Sequence, residues 1–269
     1  MKLLLLTLFV VFTVACGADV AGPGAQAVLG SPPTFTGRLW SRAVRRVVIE
    51  VDYGPNATPY TGVVPAIGDV WTVFRANATR LFQGTGKELV IPSTLAQMER
   101  VEVAAREFTV ADLLTLSRRN LDAQTTADTA VFHVLVLDGW FRDATGRRAD
   151  LLGGHLDGTG VIVLFRPVVD STRSAGRPYI PMVVEQTTLV HEFGHAVGMV
   201  GNGVAAVASA LDPDHRHHCM SAHCVMNAWY EGAPAAVSFV ERYAMTRDPV
   251  LFGAECLADA ARAARDASL

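Results

Sequence analysis

Apolar residues recur along this chain with two different periods. Val47, Val48, Ile49 and Val51 form a β-branched cluster that predicts a first strand, so folding is expected to begin near Arg45. In residues 67–82, Val70, Val73, Phe74 and Leu81 fall close to helical spacing. Residues 88–91 predict another strand. Residues 109–121 read as a capped helix whose apolar positions are Val110, Leu113, Leu114 and Leu116. Residues 130–137 and 161–165 are short continuous apolar runs of the buried-strand type, and the glycine-bearing stretch 142–160 between them reads as loop. An apolar helix is expected over 183–199, and two more, over 240–245 and 255–264, would close the C-terminal part. The order strand, helix, strand, helix, strand, strand predicts an α+β fold, an α/β sandwich built on a twisted mixed sheet.

Composition narrows the class. The chain has 269 residues, 50% hydrophobic and 18% charged, which is enough apolar material for one good-sized core. The formal net charge is -3, the arginines are scattered and the lysines are Lys2 and Lys87. With no basic stripe, neither nucleic acid nor an anionic membrane surface is an expected partner.

The N-terminus carries chemistry of another kind. Met1-Lys2 precedes a short apolar run over 3–15 and then small residues, the pattern of a signal peptide, expected over 1–18. The run is too short for a membrane span, which needs about 20 residues. Thr13-Val14-Ala15-Cys16-Gly17 resembles a lipobox, although a large aliphatic residue is usual where Thr13 stands. Lipidation of Cys16 would attach the protein to a membrane, and cleavage after Ala18 would release it. Both routes predict an exported protein. Residues 19–40, rich in Gly, Ala and Pro, read as a flexible tether, leaving 41–269 for the folded domain.

The densest chemistry lies in 187–198, TTLVHEFGHAVG. His191 and His195 are one helical turn apart, so their rings project from the same face with Cβ atoms about 6 Å apart. Two imidazoles so placed suit one Zn²⁺ at roughly 2.0–2.1 Å from each nitrogen. Glu192, rotated by one position, can reach a water on the metal without being a ligand, which is the arrangement of a general base. Two histidines and a glutamate on an apolar helix would be costly to bury without such a partner. Gly198, just past the periodic residues, suits a helix end. Gly194 sits inside the helix, where glycine costs up to about 1 kcal/mol against alanine; a close approach by another backbone would justify it.

These residues resemble the metzincin signature HExxHxxGxxH, matched here by His191, Glu192, His195 and Gly198. The third histidine is missing at its usual place, since position 201 is Gly. After an insertion the chain reads DPDHRHHCMSAHCVMNAWY over 212–230, in which His218, Cys219, Cys224 and Met226 look like the archaemetzincin segment HCxxxxCxM. The resemblance spans roughly 40 residues. It implies a zincin-like fold with an active-site helix and a smaller C-terminal helical part. It also implies a zinc metalloendopeptidase acting on protein or peptide substrates, with His191, His195 and His218 as metal ligands, Glu192 as catalytic base and Met226 in the turn beneath the metal. An upper sheet edge, taken as 161–165, would pair with extended substrate.

Alternatives remain open. His215, His217 and His223 compete with His218; Asp212 and Asp214 offer oxygen ligands, and Glu231 or Glu241 would serve in a gluzincin-type site. Tyr230 follows the methionine and reads as a packing residue. Archaemetzincins hold a second zinc on cysteines with a later CxxC, absent here, so a Cys219–Cys224 disulfide is expected, with Cys256 free. A non-catalytic zinc-bound surface lipoprotein that recruits a partner is the reading from a different class.

Overall fold

Arg46–Tyr53 alternates Val47, Ile49 and Val51 with Glu50 and Asp52, and this alternation splits the central strand into an apolar face and a charged one. The structure, a computed structural model, describes residues 34–65, 67–207, 210–228, 232–246 and 248–266. The expected signal peptide and Cys16 lie outside them. Among the described residues no helix is long and apolar enough to cross a membrane.

The chain opens with helix α1 (Phe35–Trp40), capped by the Thr34 hydroxyl, which accepts Gly37 N–H at 3.1 Å. Its Leu39 and Trp40 are buried. The tether expected over 19–40 is therefore wrong at its C-terminal end: two large apolar side chains carry residues 35–40 into the core despite their Pro- and Gly-rich approach.

Strand β1 (Arg46–Tyr53) is followed by a hairpin of β2 (Val63–Val64) and β3 (Gly68–Asp69) and by helix α2 (Trp71–Leu81). The helix starts at Trp71 and not at 67 because Gly68 turns the chain at φ 88° and Asp69 accepts the Trp71 N–H. Next come β4 (Glu88–Val90), β5 (Glu99–Arg100), β6 (Glu107–Phe108) and α3 (Val110–Asn120). Thr109 and Asp112 form a reciprocal capping box at the start of α3.

Strand β7 (Thr129–Leu137) leads into the stretch 142–160, for which the glycines predict loop. Strand β8 (Trp140–Asp143) runs into it, and it contains β9 (Gly146–Arg148) and β10 (Gly153–His155). Its glycines obscured these strands. Gly153 serves a close approach: a Cβ there would come within 2.7 Å of the Val163 carbonyl and 3.0 Å of Thr188. Strand β11 (Val161–Phe165) and helices α4 (Arg166–Asp170), α5 (Ile180–Ala196), α6 (Ala233–Thr246) and α7 (Ala254–Asp266) complete the described elements.

The main sheet runs β10-β11-β7-β1-β4, with β5 also paired to β1. Its strands are parallel except β10, which is antiparallel to β11. One edge of the sheet is thus β10, and β4 lies at the other end of the order. Val161–Phe165, expected at the edge, lies inside the sheet between β10 and β7, as its uninterrupted burial demands. The fold is α+β with a mixed sheet, α5 and α2 on one face and α3 on the other.

Phe193 of α5 fixes the layers. Its ring meets Phe132 of β7 at 4.9 Å and Phe74 of α2 at 5.1 Å, both edge-on. At the far end of α5, the Trp40 indole N–H donates to the Val197 carbonyl at 2.8 Å, satisfying one of the carbonyls a helix end leaves open.

Candidate metal centre

Helix α5 is buried along almost its whole length, so every polar group it carries needs a partner inside the protein. His191 and His195 lie one turn apart on it, and their Nε2 atoms face each other at 3.1 Å. The helix ends where Gly198 takes φ 94°, in the left-handed region, and the chain departs through the insertion.

The insertion returns beneath the helix. Asp212 N–H donates to the His218 carbonyl at 2.8 Å, and Cys219 N–H donates to the Met226 carbonyl at 2.7 Å, which folds 212–226 into a tight double-backed loop. The loop delivers the His218 ring to within 5.2 Å of His195 and 5.5 Å of His191, centroid to centroid. The three histidines can each offer a nitrogen to one point, the ligand atoms lying within 4.8 Å of one another.

Each Nδ1 is already engaged. His191 Nδ1–H donates to the Val225 carbonyl at 2.6 Å and His218 Nδ1–H to the Arg216 carbonyl at 2.9 Å. The Asn202 side-chain amide nitrogen lies 3.0 Å from His195 Nδ1. At His191 and His218 the carbonyl on Nδ1 fixes the tautomer that leaves Nε2 as the metal donor. The two Nε2 atoms, 3.1 Å apart, are close enough to bind one ion together, and with the nearby His218 nitrogen the donor set fits a metal ion. Three imidazoles are a set that suits Zn²⁺.

Electrostatics agree. Burial pushes His191 down to about 3, with the nearby His218 adding to the effect. Burial likewise holds His195 well below the ordinary imidazole range, with His191 and His218 contributing, and lowers His218. All three are held in the neutral form that ligates metals. Glu192, fully buried, stands on the same helical turn as His191.

Gly194 and Met226 explain each other. A Cβ on Gly194 would overlap Met226 Sδ and come within 3.0 Å of Phe252 Cε1, so a side chain, not the backbone expected from the sequence, occupies the space. The loop that supplies His218 also presses its methionine against the helix beneath the histidines.

The rival ligands lie elsewhere. His215 is exposed and pairs with Asp212 at 3.1 Å; His223 is exposed. His217 falls outside the group of nitrogens that converge, and takes φ 62° immediately before His218. Asp212 accepts the backbone N–H groups of Asp214 and His215, and Asp214 is exposed. Glu241 is ion-paired with Arg177 on the surface. Glu231 and Tyr230 lie outside the described residues.

The expected Cys219–Cys224 disulfide is absent. Cys219, Cys224 and Cys256 are free, buried and mutually close, with Cys224 Sγ 3.6 Å from Cys256 Sγ. Helix α7 brings Cys256 into the group, a long-range contact that spacing alone does not reveal.

His155 was missed. It sits on edge strand β10, and its ring stacks on His195 with centroids 5.5 Å apart. Its Nε2 lies 3.2 Å from Asp157 Oδ1, and its buried Nδ1 has no hydrogen-bond partner. A lone histidine in a glycine-rich stretch carried no signal without the sheet pairing.

No protein-family model matches this chain, and no curated protein matches it. Among solved structures it is similar to a zinc-dependent peptidase from Methanocorpusculum labreanum, at 13% identity, covering 79% of this chain and 99% of that one, with a TM-score of 0.44.

Proposed function

We propose that the protein is a metzincin-type zinc endopeptidase that uses His191, His195 and His218 as metal ligands and Glu192 as general base. The observation that carries this reading is the convergence of three buried imidazoles, each with its Nδ1 engaged, beside a buried glutamate. The spacing HExxHxxG followed by HCxxxxCxM supports the same assignment.

His191, His195 and His218 would hold the zinc, which would supply Lewis acidity for the activation of water. Glu192 takes the proton of the attacking water and returns it to the leaving amine. Met226 holds the loop bearing His218 against α5. Extended peptide would add to the outer side of β10, the terminal strand next to the centre, where Gly153 and Gly154 present backbone without side chains. Export, with or without lipid on Cys16, is part of the proposal; mass analysis of the mature N-terminus distinguishes the two forms.

The test compares zinc content and cleavage of a peptide library in wild type and Glu192→Gln. Retained zinc with cleavage lowered by at least a thousandfold is expected. Equal cleavage in the two proteins removes Glu192 from its role. A zinc-loaded wild type that cleaves nothing favours the non-catalytic, partner-recruiting reading.

A further inference from the structure

The sheet face opposite the histidine centre gathers charge that the proposed peptidase chemistry does not use. Glu50 and Asp52, two apart on β1, point to the side of α3, away from Phe132 and Phe193. On the neighbouring strands, His133 of β7 is in register with Glu50, and Glu99 of β5 is in register with Asp52. Cross-strand partners share a face, so one imidazole and three carboxylates line adjacent strands. Like charges directly opposite each other, as at Asp52 and Glu99, are destabilising.

Among the described residues, none of the carboxylates of Glu50, Asp52, Glu99 and Asp122 has an arginine or lysine partner. Asp52 is fully buried; its Oδ2 lies 2.9 Å from His133 Nε2, while its Oδ1 has no partner. An unmatched carboxylate oxygen in the interior is costly. Glu50 is locked by the backbone N–H groups of Asp122 and Ala123, at 2.8 and 2.7 Å. The side chains of Glu99 and Asp122 lie within hydrogen-bonding reach of each other.

We infer that Glu50, Asp52 and His133 form a second metal site, for a divalent first-row transition cation, with Glu99 and Asp122 at its mouth. The ligand atoms of the three inner residues lie within 4.8 Å of one another. Mixed carboxylate and imidazole donors suit Mn²⁺ or Zn²⁺ better than Ca²⁺ or Mg²⁺. Ser117 Oγ, 2.8 Å from His133 Nδ1, is an outer partner that serves either tautomer, so an ion can displace the Nε2 proton shared with Asp52 while Nδ1–H donates to Ser117. The ion would cross-link β7, β1 and β5, and the site is independent of the peptidase reading.

The test titrates the full chain, preloaded with one equivalent of zinc, with Mn²⁺ and follows loss of the free-ion paramagnetic resonance signal. The number of saturable Mn²⁺ sites is expected to fall by one in Asp52→Asn, with the zinc content of the chain unchanged. If Asp52→Asn fails to fold by circular dichroism, the partly exposed pair Glu50→Gln/Glu99→Gln decides, with an expected tenfold or greater loss of affinity at one site. Equal Mn²⁺ stoichiometry and affinity in wild type and variants, or no saturable uptake by wild type, overturns the inference: the Asp52–His133 pair is then an ordinary buried ion pair.

Discussion

Gly194 is the contact point for Met226, because the helix backbone at that position is the surface on which the methionine sulfur rests. The two residues come from segments that the insertion separates, and their fit sets the height of the loop beneath the histidines. Gly194→Ala is expected to cost about 1–3 kcal/mol through overpacking, partly offset by about 1 kcal/mol of helix propensity. The double variant Gly194→Ala/Met226→Ala should be less destabilised than the sum of the singles. Additive melting-temperature shifts would show that the contact is not shared.

The third ligand can be read from metal content alone. His218→Ala is expected to lose the zinc bound at the histidine centre, while His215→Ala and His223→Ala, both at exposed positions, keep it. Zinc retained in His218→Ala at wild-type affinity would exclude His218 as a ligand.

Arg166 and Glu185 form a buried ion pair that ties α4 to α5, with the Tyr60 N–H also donating to Glu185 at 2.8 Å. Removing the arginine strands a buried carboxylate, so Arg166→Met should lose about 3–5 kcal/mol near pH 8. Burial pushes the Glu185 carboxyl up from 4.5 to about 7 against the pull of Arg166. Because the folded-state value is raised, the folded state binds more protons between pH 4.5 and 7, and this group's contribution to stability is lost as pH rises through that window. Denaturation midpoints measured across that window should fall with pH in wild type and flatten in Glu185→Gln. Parallel curves would mean that Glu185 does not titrate there.

Trp40 spans the end of α5 from a helix that precedes the first strand. Trp40→Phe removes the donation to the Val197 carbonyl and should cost about 1 kcal/mol, whereas Trp40→Ala should cost about 3–5 kcal/mol. A chain beginning at Ser41 should melt well below one beginning at Thr34. Equal melting of the two would show that α1 contributes nothing to the core.

His155 stacks on the His195 ring with one nitrogen unmatched. His155→Phe keeps the stacking surface and removes the nitrogen, so zinc content should hold while peptide cleavage falls at least tenfold. A fall in zinc instead would make His155 a support for His195 only.

Much of the fold was legible from residue order. The strand over 130–137, the helix capped at Thr109 and the helix bearing His191 and His195 each rest on contacts within a few residues, so their periodicity reports them directly. The strands within 142–160 were not legible, because glycines that permit close packing look like loop residues until the neighbouring strand and helix are known. The tether over 19–40 failed at Leu39 and Trp40, whose burial depends on the end of α5 more than a hundred residues later.

The residue pattern by itself determined that two imidazoles and a carboxylate share one helical turn, because helix pitch is a local property. The spacing of His218 to Cys219, Cys224 and Met226 already implied it as the third imidazole. Only the tertiary structure decided that β10 is an edge strand, that Cys256 meets Cys219 and Cys224, and that Glu50, Asp52, Glu99 and His133 share one face. Those outcomes depend on strand register and loop path, which bring distant segments together to bury apolar surface, and no spacing along the chain encodes them.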